Sequence, residues 1–456
     1  MDVKGKKITV VGLGNSGVNA AILLNSAGAR VWATDSSDTP STKNMRKTLE
    51  AKGIKVETGS HSESFVKDSS LVVLSPGVED SSEPVRWANR FKIPMIGEME
   101  LGCRFCKGNI IAITGTNGKS TVTTLIGELL KSGGKDTVVC GNIGNSLCGE
   151  ISRINKNTWV VLEVSSFQLE RIENFKPRIA LILNIRDDHM DRYSKFSDYF
   201  NAKLKIFSNQ DGDDTLILNY DAKELRGLEG KARSKILFYS RLKKAKGAYL
   251  KDQKVYCLSG GEEKEICAVN DIPLKGLHNV ENVLASVLAA AVAGAEPGPM
   301  KDVIKKFKGL SHRFETVAII DGVDYIDDSK GTTVDSTYRA LESCAKPVVL
   351  IAGGKDKHSD YSAVKDIVKR KVKELVLIGE ASGAIRKAIG GAVATHQAKD
   401  MFDAVRLARG LAQKDDIVLL SPMCSSFDMF SSYKERGEVF KKAVDCIKGS
   451  CQKVKI

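Results

Sequence analysis

Ile110-Ile111-Ala112-Ile113-Thr114-Gly115-Thr116-Asn117-Gly118-Lys119-Ser120-Thr121 is the stretch that decides the fold. A β-branched, apolar run enters a glycine loop, and an apolar-periodic helix pattern leaves it. In such a strand–loop–helix unit the loop N–H groups and Lys119 can hold phosphates, and Ser120 offers a hard oxygen to Mg²⁺. The loop departs from strict Walker A spacing, because Ile113 stands where the first glycine belongs.

The same grammar recurs on both sides. Upstream, strand Ile8–Val11 leads into Gly12-x-Gly14-x-x-Gly17 and a helix to about Asn25, and Asp35 follows a second strand, Val31–Thr34. Those glycines let a backbone approach a diphosphate at a helix N-terminus, or they make a tight turn with no ligand. A third strand, Leu71–Leu74, ends at Ser75-Pro76-Gly77. Downstream, strands Thr158–Leu162, Ile179–Asn184 and Leu216–Asn219 extend a second α/β unit, and residues 231–272 read as an insertion of short strands and turns. A helix over about Val280–Ala293 precedes a connector at 308–314. A third unit follows, with strands Val348–Ala352, Leu375–Ile378 and Ile417–Leu420. This alternation predicts an α/β chain of three domains. They are a Rossmann-like domain over 1–105, a central P-loop ATPase-type parallel-sheet domain over 106–310 and a Rossmann-like α/β domain over 311–456. Active-site groups gather at the carboxyl ends of strands in such sheets. Glu163 and His189 occupy such ends, and Glu163 suits Mg²⁺ as a hard ligand, although either alone reads more often as a solvated residue; their shared position relative to the phosphate loop is what favours the site.

Length and charge bound the answer. At 456 residues the prior is about three domains. With 42% hydrophobic and 27% charged residues, the chain can bury large cores, which excludes disorder as an overall description. The 69 basic against 56 acidic residues leave +13, which suggests anionic partners: nucleic acid, a membrane surface or phosphorylated metabolites. The most apolar stretch, Val283–Ala295, has 13 residues, short of the ~20 a spanning helix needs. The apolar run after the first lysines ends at a glycine loop, so no signal peptide is expected. Ten cysteines show no disulfide framework, and Cys103-x-x-Cys106 has no second pair. Reduced structural thiols of a cytoplasmic protein are expected, with a metal or redox role as the alternative.

Five segments occur in the order and spacing of the Mur ligase family, which the chain resembles over nearly its whole length. They are the loop Gly115–Thr121, Glu163-x-Ser165-Ser166, His189-Met190-Asp191-Arg192, His278-Asn279-x-x-Asn282 and His312-Arg313-Phe314-Glu315. Asp327-Asp328-Ser329-Lys330-Gly331-Thr332 and the Ser421–Asp428 segment resemble the branch of the family that adds D-glutamate. The Asp-Asn-Pro-Arg motif of its diamino-acid-adding members is absent.

The resemblance implies ATP-dependent addition of D-glutamate to UDP-N-acetylmuramoyl-L-alanine through an acyl phosphate, with ATP and Mg²⁺ as cofactors, in peptidoglycan precursor synthesis. It implies catalytic roles for Lys119, His189 and Lys203, the last matching a lysine that is carbamylated in the family. ATP would be held by Gly115, Thr116, Asn117, Gly118, Lys119, Ser120, Thr121, Asn282, Arg313 and Asp328. Asn15, Ser16, Asp35, Ser36, Gly77, Asn142 and Ser165 would hold the UDP-substrate. D-Glutamate would meet Lys330, Thr332, Lys357, Ser426, Phe427 and Tyr433. Ser120, Glu163, His189 and carbamylated Lys203 would surround Mg²⁺. Two positions depart from the family pattern: Ser37, where arginine is common, and Tyr433, where phenylalanine occurs. A cytoplasmic monomer acting on small molecules is implied, without nucleic acid or a membrane span, its third domain closing on ATP near Ser311. The alternatives are another amino-acid-adding ligase of the family, an NAD-dependent oxidoreductase resting on Gly12–Gly17 and Asp35 alone, and a nucleic-acid-binding module drawing on the +13.

Overall fold

The apolar runs that end in glycine or a polar residue become the central strands of three sheets. The computed structural model describes residues 1–186, 193, 195–259, 261–274, 276–356, 359–389 and 391–450. The first sheet contains β1 (Lys7–Val11), β2 (Arg30–Asp35), β3 (Lys55–Thr58), β4 (Leu71–Leu74) and β5 (Met95–Gly97), in the order β3-β2-β1-β4-β5. All its pairs are parallel. Strand order reverses between β1 and β4, so the carboxyl ends of these two strands open a crevice suited to a ligand. Successive side chains face opposite sides of the sheet. Val10 and Val73 pack with Leu24 on one face, while Val11, Val72 and Leu74 pack with Val85 on the other.

The second sheet has nine strands in the order β14-β13-β12-β11-β10-β9-β6-β8-β7. They are β6 (Asn109–Thr114), β7 (Thr137–Gly141), β8 (Trp159–Glu163), β9 (Ile179–Ile182), β10 (Thr215–Asn219), β11 (Lys235–Ser240), β12 (Gly247–Lys251), β13 (Lys254–Ser259) and β14 (Glu262–Ala268). β6 lies between β8 and β9, and from Ile110 to Thr114 it is buried. This explains why its sequence is a continuous apolar run instead of an alternation. The stretch expected to be an insertion is continuous with the sheet: β11 pairs parallel to β10 and β12 parallel to β11, before β13 and β14 turn antiparallel.

The third sheet runs β15-β16-β20-β17-β18-β19, with β15 (Glu315–Ile320), β16 (Val323–Asp327), β17 (Val348–Gly353), β18 (Val372–Ile378), β19 (Ala394–Gln397) and β20 (Ile417–Leu420). A hairpin of β15 and β16 joins four otherwise parallel strands. Met1–Ile185, Tyr199–Asp271 and Asn282–Ile304 make one compact unit, which carries the first two sheets. Arg186–Asp198, Ile272–Glu281 and Lys305–Ile456 make a second unit, which carries the third sheet. No helix among the described residues is long and apolar enough to cross a membrane.

Candidate functional site

In the first unit, β6 delivers the chain into Gly115 at φ +152° and Gly118 at φ +85°, after which helix Lys119–Ser132 begins. A Cβ on Gly118 would meet the Asn282 side-chain oxygen at 2.5 Å, which sets the Asn282 carboxamide against the loop. The loop is pinned by Asn184, a residue the sequence reading left without a role. Its carbonyl accepts from Thr116 N at 2.9 Å, its Oδ1 accepts from Asn117 N at 2.9 Å, and its Nδ2 donates to the Asn117 carbonyl at 3.1 Å. A polar residue just beyond a buried strand was the available signal. Ser120 and Thr121 are buried in the first helical turn.

Two lysines converge on this loop. Lys119 Nζ donates to the carbonyls of Gly115 at 2.9 Å and Thr116 at 2.8 Å. Lys203, only 2% exposed on helix Phe196–Leu204, donates to the same Gly115 carbonyl at 3.0 Å and lies over the Tyr199 ring. Two ammonium nitrogens bonded to one oxygen lie within about 6 Å of each other. At the end of β8, Glu163 is 2% exposed; its Oε1 accepts from Asn142 Nδ2 at 2.8 Å, and its Oε2 has no partner among the described residues. A buried carboxylate oxygen without a donor is costly. Such an oxygen suits a hard divalent cation. Ser165 caps the next short helix through a reciprocal box with Gln168. His189 lies outside the described residues.

The first sheet's crevice is glycine-shaped. A Cβ on Gly17 would collide with the Gly12 carbonyl, whereas Gly14 and Gly77 face open space. Asp35 accepts from Leu13 N at 2.6 Å and Ser37 N at 2.8 Å, so its carboxylate braces the turn. Asn15 and Ser36 are exposed and Ser16 is half-buried. Asn15 reaches Asn145 at 3.4 Å, on the segment that follows Asn142.

In the second unit, Asp328 accepts from Ser421 Oγ at 2.8 Å and Phe314 N at 3.2 Å, and burial pushes its carboxyl up to about 7, against the pull of Arg313. Lys330 Nζ sits 3.9 Å above the Tyr433 ring centroid. Thr332 N donates to the Lys330 carbonyl; Ser426 is buried, and Phe427 is 72% exposed. Lys357 lies outside the described residues. Sequence reasoning missed Arg436. It is fully buried and donates to Ser329 Oγ and to the carbonyls of Ser329, Cys424 and Ser425, so it ties two of the predicted loops together. Burial lowers its guanidinium to about 10. Its only signal was the neighbouring Gly437, where a Cβ would strike His312. His312, Glu315 and Asp327 also cluster. His312 Nδ1 is 2.7 Å from Asp327, and Lys441 is 3.0 Å from Glu315, so this set is satisfied internally.

Three family models match the chain in order: the Mur ligase MurD-like N-terminal domain over 6–97, the Mur ligase middle domain over 113–290, and the Mur ligase glutamate ligase domain over 312–424. The UDP-N-acetylmuramoylalanine--D-glutamate ligase of Koribacter versatilis is 45% identical over 97% of this chain and 98% of its own length. The ligase of the same name from Geotalea daltonii is 43% identical over 98% and 99%. Among solved structures, the UDP-N-acetylmuramate-alanine ligase of Thermotoga maritima shares the fold at a TM-score of 0.62. That match has 19% identity and covers 98% of this chain and 100% of that one. The chain belongs to the Mur ligase family.

Proposed function

We infer that this chain is an ATP-dependent ligase that joins D-glutamate to UDP-N-acetylmuramoyl-L-alanine during synthesis of peptidoglycan precursors. The observation that carries this reading is identity of 45% and 43%, over nearly the full length, to relatives bearing that ligase's name. The three matched domains correspond to three ligands: the UDP-substrate near Asn15, Ser16, Asp35, Ser36 and Gly77, ATP at the Gly115–Thr121 loop, and D-glutamate in the last domain. The domain limits we propose are 1–105, 106–310 and 311–456.

Amide formation from a carboxylate requires an activated acyl group. The alanine carboxylate attacks the γ-phosphorus of ATP and ADP leaves, giving an acyl phosphate. The D-glutamate amine then attacks the acyl carbon, and phosphate leaves. Lys119 exchanges the Gly115 and Thr116 carbonyls for phosphate oxygens, which brings a fixed cation to the charge that develops. Asn282, Arg313 and Asp328 bind the nucleotide, and Asn142 and Ser165 orient the acyl end. Mg²⁺, held by Ser120, Glu163, His189 and Lys203, would neutralise charge on the transferring phosphoryl group; the unpartnered Glu163 Oε2 supports this. Carbamylation of Lys203 fits the same surroundings, because it replaces the buried one of two crowded cations with an oxygen donor. Lys330, Thr332, Lys357, Ser426, Phe427 and Tyr433 receive the amino-acid dicarboxylate. The enzyme would act as a cytoplasmic monomer on small molecules.

The test is phosphate release with ATP, Mg²⁺ and UDP-N-acetylmuramoyl-L-alanine across an amino-acid panel. Release is expected with D-glutamate and absent with L-glutamate or L-alanine. Release with a different amino acid alone would reassign the chain within its family.

A further inference from the structure

Arg171 stands in a place where an anionic ligand of the first sheet needs it. The loops at the carboxyl ends of β1 to β5 are Gly12–Gly14, Ser36–Thr39, Gly59–Ser62, Ser75–Ser82 and the Gly97–Glu98 junction, and none contains lysine or arginine. A diphosphate in that crevice would meet a helix N-terminus and no cation from these loops, while Lys43, on the helix after β2, is paired with Asp38. The central sheet supplies one. A pocket at the ends of β4 and β5 is lined by Ser75, Pro76, Gly97, Glu98, Gln168 and Arg171, and Arg171 carries the one positive charge among its described lining residues.

Arg171 ends the short helix Ser166–Glu170, and its carbonyl accepts from Gly97 N at 3.3 Å, which fixes it against β5. Ser75 links the pocket to the glycine turn by donating to the Gly12 carbonyl at 2.9 Å. Glu98 lines the same pocket; burial raises its pKa, and its Oε1 accepts from Cys148 N at 2.9 Å, which turns that oxygen to the Cys148 backbone. The guanidinium is paired with Asp80, whose side chain is 81% exposed. The Arg171 side chain is itself only 19% exposed, but Asp80 lies at the surface and can give up its place to the charged, bidentate oxygens of a phosphate.

We propose that Arg171 binds the diphosphate of the UDP-substrate, exchanging Asp80 for phosphate oxygens. This rests on the ligase reading above, and the experiment separates the two. Calorimetric dissociation constants are measured for UDP and for uridine with the full chain, its Arg171→Met, Arg171→Lys and Asp80→Ser variants. Arg171→Met is expected to weaken UDP about tenfold and leave uridine unchanged. Arg171→Lys should fall between the two, and Asp80→Ser should bind UDP at least as tightly as the parent. Equal UDP affinity in the parent and Arg171→Met would overturn the inference and leave the ligase reading intact. Parallel loss of UDP and uridine would make Arg171 a merely structural residue and overturn it as well. A parent chain that binds neither UDP nor the UDP-substrate would overturn the ligase reading itself.

Discussion

Asp328 shows how a site residue is held at the expense of stability. Its carboxyl accepts two hydrogen bonds, yet burial dominates and raises its pKa from 3.8 to about 7. Below pH 4 it is protonated in both folded and unfolded chains and costs nothing. Between pH 4 and 7 the unfolded chain ionises while the folded chain resists, so stability falls as pH rises. Above pH 7 the full cost stands, roughly 4 kcal/mol if the whole shift is realised. Asp328→Asn keeps an acceptor for Phe314 N and removes the titration. At pH 7.5 the variant should therefore melt at a higher temperature than the parent, and below pH 4 the difference should vanish. Its KM for ATP should rise, because the charge that faces Arg313 is gone. A variant less stable at both pH values would refute this account. Such residues are hard to read in a sequence, since Asp327-Asp328 looks like a solvated pair until β16 and β20 bury it.

Whole elements are more legible, and the helix Glu98–Phe105 shows where legibility stops. Nothing in its sequence shows its anchor. Glu100 is fully buried and accepts the backbone N–H groups of Glu173, Asn174 and Phe175, each at 3.0 Å, and Arg104 Nε at 2.8 Å. Its four partners span seventy residues, and no local pattern announces such a contact. Glu100→Ala would strand three backbone N–H groups, that of Phe175 buried, and unpair Arg104, and should cost about 3–5 kcal/mol. This would be read as a lower urea midpoint for the first unit; an unchanged midpoint would mean that water replaces the carboxylate. The strands divide on similar grounds. β1, β4, β6, β8, β17 and β20 are apolar runs that end in glycine or polar residues, because neighbours cover both their faces. β3, β5, β7, β15, β16 and β19 were missed, and all but β16 are edges of their sheets. Edge strands are short and partly solvated, as the exposed ends of Ala394–Gln397 illustrate, so their composition resembles that of loops. Arg436 fails for the opposite reason. Lys434-Glu435-Arg436-Gly437-Glu438 has the look of a solvated helix face, and only packing of the two neighbouring loops buries its arginine.

At the scale of the molecule, the charge of +13 has to be weighed against ligands that are all anionic. The residues proposed to touch them include Lys119, Lys330, Lys357, Arg171 and Arg313, a small share of 69 basic residues. Many others form exposed pairs, such as Lys43 with Asp38, Lys244 with Glu263 and Lys355 with Glu380, which contribute little to stability. What such a surplus can do collectively is raise the local concentration of anions and speed their arrival. The Debye length contracts from about 20 Å at 20 mM salt to about 7 Å at 200 mM, so a long-range field fades while contacts inside the site persist. The value of kcat/KM for the UDP-substrate should therefore fall roughly threefold over that range, with kcat unchanged. D-Glutamate, which carries less charge, should respond less steeply. Steady-state rates at fixed free Mg²⁺ decide the matter. If kcat fell in step with kcat/KM, salt would be acting on the chemistry within the site, and the surplus of lysines would have no part in substrate capture.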